Sequence, residues 1–228
     1  MSSSTVSDPS DYRQLWLEAS ARNAELTRSL LPERLAAQLA RPESILAEGH
    51  ADVTVLFADI VGFTRLAAEL TPYAVVELLD SFFGPIDLLC EQLQLEKIKT
   101  IGDAYMLAGG LEPDGDGRHT ERVLEAALDI LTLARRHPPV CGERFAVRIG
   151  FATGPVVAGV IGRKKLNYDL WGDTVNLAMR LCDEAVPMEV LFDELSFLSL
   201  AGPHGSIGPQ VMQIRGKGPV QTYRLQAT

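Results

Sequence analysis

In Val53-Thr-Val-Leu-Phe-Ala-Asp59-Ile-Val-Gly62-Phe-Thr64 an apolar run ends at Asp59, and Asp103 sits inside Lys97-Ile-Lys99-Thr-Ile-Gly102-Asp103-Ala-Tyr-Met106. Each stretch delivers one carboxylate to a strand end. Two carboxylates placed in this way can hold a pair of divalent cations against a nucleotide triphosphate, because Mg²⁺ takes one or two carboxylates and completes its octahedron with water and phosphate oxygens. Gly62 permits close backbone approach, and Thr64 can open a helix whose free N–H groups would meet phosphate. Gly102-Asp103 is a turn dipeptide between two apolar runs, which predicts a tight hairpin. Taken singly, Asp59 reads as a helix cap and Asp103 as a turn filler. As a pair they point to metal.

Asn176 and Arg180 are four residues apart on a predicted helix and so face the same way. Val175, Ala178, Met179 and Cys182 make one apolar face, and Leu177 and Leu181 another. The Asn–Arg pair then lies on a seam, where a buried guanidinium demands an anionic partner. That partner is either Asp183 or Glu184, in a structural salt bridge, or a phosphate, whose oxygens an arginine fork matches. Lys99 can only donate hydrogen bonds, and Asp169, in Tyr168-Asp-Leu-Trp-Gly172, can only accept them. Such a pair satisfies the ring nitrogen and amino group of adenine and mismatches guanine at both atoms. Singly, Lys99 reads as a solvated strand residue and Asp169 as a turn residue.

These side chains need a scaffold. The chain has 228 residues and 46% hydrophobic content, enough for one domain with a real core and an extension. Its 21 Lys+Arg against 30 Asp+Glu, net −9, argue against nucleic acid or an anionic membrane as a partner. Cys90, Cys141 and Cys182 have no ligand spacing and read as buried thiols in a reducing compartment. No stretch approaches membrane-spanning length and no signal-peptide pattern opens the chain, so the expectation is cytoplasmic.

Residues 1–10 are small and polar and read as disordered, and 11–50 as a helical lead. In the lead, Leu15, Ala19, Leu26 and Leu30 share a face, and a second piece starts at Pro32 with Leu35 and Leu39. The lead either packs on the main domain or serves as a dimer-forming or signal-carrying element. In the main part, 51–228, strand 53–58 is followed by helix 64–70, and Thr71-Pro72 opens a long helix that Gly84-Pro85 bends before Leu93. The hairpin 95–108 comes next, then a helix capped by Thr120 with the stripe Val123, Ala127, Ile130 and Ala134. Strands 145–152 and 155–161 are joined through Thr153-Gly154-Pro155. A basic loop, 162–165, precedes a helix over 174–184. Strands near 188–192, 210–215 and 220–225 finish the chain. The irregular alternation with several hairpins predicts an α+β sandwich, helices covering one mostly antiparallel sheet.

With these residues assembled, the chain resembles a class III nucleotidyl cyclase catalytic domain over about Asp52 to Leu225. The resemblance rests on Leu56 to Thr64, Glu96 to Met106, Arg148-Ile-Gly-Phe-Ala-Thr-Gly-Pro-Val-Val-Ala-Gly-Val-Ile-Gly162, and Tyr168 to Arg180. It implies a ferredoxin-like sheet with an added hairpin arm, working as a head-to-tail homodimer. It implies two divalent cations, Mg²⁺ or Mn²⁺, on Asp59 and Asp103 with the Ile60 carbonyl as a further ligand, and the Gly62, Phe63 and Thr64 amides near the phosphates. Lys99 and Asp169 match the purine-reading pair in its adenine form, Asn176 the residue that orients the ribose, and Arg180 the one that stabilises charge at the α-phosphate. Arg215 falls where many relatives have a lysine that contacts the terminal phosphates. Ala152 and Met179 depart from the usual pattern at positions without chemistry. The function implied is conversion of ATP to 3′,5′-cyclic AMP and pyrophosphate at sites shared between two protomers. The rivals are a guanylyl cyclase, a catalytically silent cyclase-like regulatory module and a purely structural dimerisation domain.

Overall fold

The apolar run before Asp59 forms strand β1 (Ala47–Ile60), buried from Val53 onward except for half-buried Asp59. Its Val, Leu, Phe and Ile side chains suit a pleated surface covered on both faces. The computed structural model describes residues 9–28, 47–112, 116–162, 166–202 and 205–226. Gly62, in the left-handed region at φ 71°, turns the chain into α2 (Phe63–Glu69), so the helix starts one residue before the expected Thr64. Thr71 caps α3 (Pro72–Gln92) as expected: its hydroxyl accepts the Ala74 N–H at 3.2 Å, and Pro72 occupies the first turn. Gly84 and Pro85 both lie inside this helix.

Strands β2 (Glu96–Ile101) and β3 (Ala104–Gly109) form the predicted hairpin, with Ile101 opposite Ala104 and Gly102 at φ 64° in the two-residue turn. Helix α4 (His119–Arg136) buries Val123, Ala127, Ile130 and Ala134 as expected. Thr120 does not cap it. The helix starts at His119, and the Thr120 hydroxyl bonds the Thr54 hydroxyl at 2.9 Å. Strand β4 (Val147–Ile161) is one element where two were expected. The chain stays extended through Gly154, whose missing side chain leaves room for Thr174: a Cβ there would stand 2.8 Å from the Thr174 hydroxyl.

Then come β5 (Asn167–Trp171), α5 (Asp173–Glu184), β6 (Glu189–Asp193), α6 (Glu194–Ser199), β7 (Ile207–Ile214) and β8 (Gly218–Gln226). Neither β5 nor α6 is foreseen from the sequence. The eight-stranded sheet has the order β2-β3-β1-β4-β6-β8-β7, with β5 paired to β4 off this path. Strands β4 and β6 are parallel, whereas β1/β3, β2/β3, β6/β8 and β7/β8 are antiparallel. This is the α+β class that the sequence predicts.

The main core holds Leu56, Phe83, Tyr105, Ile130, Phe151 and Phe192, with Phe151 and Phe192 stacked at 4.8 Å between ring centroids. A buried hydroxyl chain crosses it. Thr54 bonds both Thr120 and Thr153 at 2.9 Å, Thr153 bonds Ser196 at 2.8 Å, and Ser196 donates to Asp193 at 2.5 Å. Asp193 Oδ1 also accepts the Ser196 and Thr153 backbone N–H groups. Burial raises the Asp193 carboxyl above the usual range, against the pull of these donors.

The chain divides into two compact units, Met1–Ala47 with Gly159–Tyr168, and Glu48–Ala158 with Asp169–Thr228. The first contains α1 (Pro9–Arg28), which begins inside the stretch read as disordered and whose side chains from Tyr12 to Asn23 are exposed. The piece expected at Pro32, Leu35 and Leu39 lies outside the described residues, as do Arg163 to Lys165 of the basic loop. Cys90 and Cys182 are buried thiols, but Cys141 is exposed, in the tight turn between Val140 and Glu143. Among the described residues no helix is long and apolar enough to cross a membrane.

Candidate active site

Antiparallel pairing of β1 with β3 sets Asp59 opposite Ala104, the residue after Asp103. The two carboxylates are thereby neighbours. Burial, and then the charge of Asp59, raise the Asp103 carboxyl above the usual range. Arg148, half-buried on β4, answers this concentration of negative charge. Its Nε donates to Asp59 Oδ2 at 2.8 Å and its Nη2 lies 2.6 Å from the same oxygen. Its Nη1 donates to the Asp183 carbonyl at 3.0 Å, tying the end of β1 to the end of α5.

Asp59 and Asp103 are hard oxygen donors that repel one another, which suits a divalent cation. No group of three or more acidic, His or Cys ligands occurs among the described residues, so a cation here would also need backbone, water or substrate oxygens. Beyond Asp59, Gly62 leads into α2. The first N–H groups of a helix have no partner within it, and here they belong to Phe63 and Thr64.

A second group forms between β2 and β5. The Lys99 Nζ donates to Asp169 Oδ2, and Asp169 Oδ1 accepts the Leu170 N–H at 2.9 Å. Against β3, the register of β2 shifts between Lys97 and Lys99. Asp169 is buried and sits in a strand, so the turn reading does not hold.

The third group lies on α5 and the β7–β8 turn. The helix buries one face, Thr174, Ala178, Leu181 and Cys182. Met179 is 46% exposed, Asn176 is exposed and Arg180 is half-buried, so the seam between two apolar faces is not present. The expected salt bridge to Asp183 or Glu184 does not form either; among the described residues Asp183 faces Arg148. The Arg180 guanidinium instead lies against Gly216, where a Cβ would stand 3.5 Å from Nη2. Gly216 and Gly218, at φ 74° and 80°, shape the turn that presents exposed Arg215. Lys217 pins this turn to the start of α5 through an ion pair with Asp173 and a 3.3 Å bond to its carbonyl.

The structure therefore gathers the eleven sequence-identified residues into three clusters, around Asp59 and Asp103, Lys99 and Asp169, and Asn176 and Arg180. Sequence reasoning missed Arg148 and Lys217. The signal for Arg148 was a lone arginine opening an apolar strand, which needs an acid nearby.

The profile of the adenylate and guanylate cyclase catalytic domain matches residues 45–227. An adenylate cyclase of Mycobacterium bovis is 38% identical over 211 residues, which are 90% of this chain and 46% of that protein. Atrial natriuretic peptide receptor 2 of Rattus norvegicus is 37% identical over 224 residues, 93% of this chain and 21% of the receptor. The chain thus spans less than half the length of either relative. Among solved structures, the catalytic core of a rhodopsin-guanylyl cyclase with converted specificity, in complex with ATPalphaS, superimposes with a TM-score of 0.74. It is 31% identical and covers 80% of this chain and 98% of that one.

Proposed function

We propose, from the premise that this chain belongs to the adenylate and guanylate cyclase catalytic domain family, that it converts ATP to 3′,5′-cyclic AMP and pyrophosphate. The observation that carries this reading is the pair Lys99 and Asp169, held side by side. One can only donate and the other can only accept, which fits adenine's ring nitrogen and amino group and opposes guanine's ring N–H and carbonyl.

In this reading Asn176 orients the ribose so that its 3′-oxygen lines up with the α-phosphorus. Arg180 neutralises charge that develops there, and Arg215 and the Gly62–Thr64 amides hold the outer phosphates. Asp59, Asp103 and the Ile60 carbonyl would hold two divalent cations, Mg²⁺ or Mn²⁺, which when bound supply charge stabilisation and make the 3′-hydroxyl more acidic. The attacking oxygen belongs to the substrate, so the chain needs no nucleophile of its own. The aspartates of one protomer face the base-reading and arginine residues of its partner. A two-fold head-to-tail homodimer then has two equivalent sites. Residues 51–228 form the catalytic part and 11–50 its lead, on the cytoplasmic side where free thiols such as Cys90 and Cys182 persist.

A GTP-using enzyme is the second reading, favoured by the guanylate cyclase domain of Catenaria anguillulae in complex with GTP, which is 30% identical to this chain and superimposes with a TM-score of 0.74. Product assays with ATP and GTP side by side, in Mg²⁺ and in Mn²⁺ and at several protein concentrations, separate the two. Cyclic AMP as the main product supports the proposal; cyclic GMP as the main product refutes it. Lys99→Glu with Asp169→Cys inverts donor and acceptor and should shift the ATP-to-GTP preference by about 100-fold or more towards GTP. An unchanged preference would mean that the base is read elsewhere.

A further inference from the structure

Apart from the three clusters, a cavity of about 650 Å³ lies where α4 ends and β4 begins. Arg135, His137, Arg144, Phe145 and Met188 line it. One wall is aromatic: the His137 ring stacks on Phe145 at 4.2 Å between centroids, and behind this wall the buried Phe82, outside the lining, meets Phe145 edge-on at 4.8 Å. The imidazole is fixed in place, since its Nδ1–H donates to the Pro138 carbonyl at 2.8 Å.

The charge around this cavity is unusual for the molecule. The chain carries a net −9, yet the lining holds two guanidiniums and an imidazole and no carboxylate. Arg144 is exposed and has no ion-pair partner among the described residues. The adjacent acid, Glu143, is already engaged by both terminal nitrogens of Arg65. An arginine fork matches a carboxylate through two parallel hydrogen bonds, and a stacked ring shelf matches a flat apolar body. A mostly apolar hollow with a few placed polar groups is the general form of a small-molecule site.

We propose that this cavity is a second binding site, for a small planar organic anion of the aromatic-carboxylate class. Its occupant need not touch the nucleotide residues, and its detection requires no turnover. With five methionines in the chain, methyl-labelled methionine gives a local readout: Met188 lines the cavity, while Met106 on β3 and Met179 on α5 do not. Titration of the full chain with 2-naphthoate should move the Met188 methyl resonance and leave Met106 and Met179 in place. Arg144→Glu, at an exposed position that spares the core, should weaken binding about tenfold or more, and Arg144→Lys, which keeps the charge but loses the fork, should weaken it less. Neutral 2-naphthalenemethanol should bind far more weakly. A still Met188 resonance overturns the site. So does equal affinity in Arg144→Glu, or equal binding of the neutral analogue, which would leave only an apolar hole. Tighter binding of adenosine monophosphate than of naphthoate at Met188 overturns the carboxylate class.

Discussion

Gly150 lets α5 rest on the bare backbone of β4. A Cβ at this position would stand 2.0 Å from Cys182 N, 2.5 Å from Leu181 C and 2.6 Å from Cys182 Cα. All three are backbone atoms, so no rotamer change relieves the clash. Gly150→Ala must lift the helix, and regaining an ordinary contact of 3.4 Å takes a retreat of about 1.4 Å. Overpacking typically costs about 1–3 kcal/mol, and a rigid helix pressed on a strand puts this case at the upper end. For a chain of this size that corresponds to a fall in Tm of roughly 6–12 °C. The same helix carries Asn176 and Arg180, and a displacement of about 1 Å in positioning groups costs about 100-fold in turnover. Thermal melts followed by circular dichroism, together with cyclic nucleotide production, read the two effects separately. Gly84→Ala is the control: it lies within α3 with nothing within 4 Å of its Cβ and should be neutral or slightly stabilising. If Gly150→Ala melts within about 1 °C of the parent and turns over at the parent rate, the contact between helix and strand does not set the position of α5.

Asp59→Ala or Asp103→Ala should each lower turnover about 1,000-fold or more while the chain stays folded, and near-parental activity in either would remove the metal assignment. Mixing an Asp59→Ala chain with an Arg180→Ala chain should restore about a quarter of the parental sites, and mixed dimers without activity would show that sites are not shared. Burial, and then the charge of Glu112, push the Glu96 carboxyl up to about 7. The folded state therefore keeps this proton after the unfolded chain has lost it, and stability falls as pH rises from about 4.5 to 7, then levels. Glu96→Gln should gain on the parent across that window, by up to about 3 kcal/mol at pH 8 and less for the part that water reaches. Urea midpoints at pH 5 and 8 that change alike in both chains would rule this out. Thr54→Val removes two hydroxyl bonds of 2.9 Å and should cost about 1–3 kcal/mol in urea unfolding; an unchanged midpoint would mean that the hydroxyl chain contributes nothing.

Elements with local signals were legible in the sequence. Thr71-Pro72 and Gly102-Asp103 carry their own backbone preferences, so the start of α3 and the β2–β3 turn fall where expected. Thr120 has equally good local credentials as a cap, but Thr54, 66 residues away, takes its hydroxyl. Arg148 meets Asp59 across 89 residues, a pairing that no window of sequence displays. For α5, periodicity offers two apolar stripes and no means to choose between them. The choice is made by Gly150 on another element, where the helix backbone sits directly against the sheet. Asp59 and Asp103 could be singled out because each ends or turns a strand. That Lys99 and Asp169 touch follows from β5, a strand too short to announce itself.

The hydroxyl chain that ends on Asp193 bears on how the molecule opens. Its links span 66, 99 and 43 residues, so each exists only when elements remote in the chain have docked together. Freeing β1, β4, α4 or α6 alone would strand a hydroxyl in an apolar interior, at about 1–3 kcal/mol for each one stranded. Fluctuations are thereby diverted to the periphery, and the amides at the middle of the sheet exchange with solvent only when the whole unit comes apart.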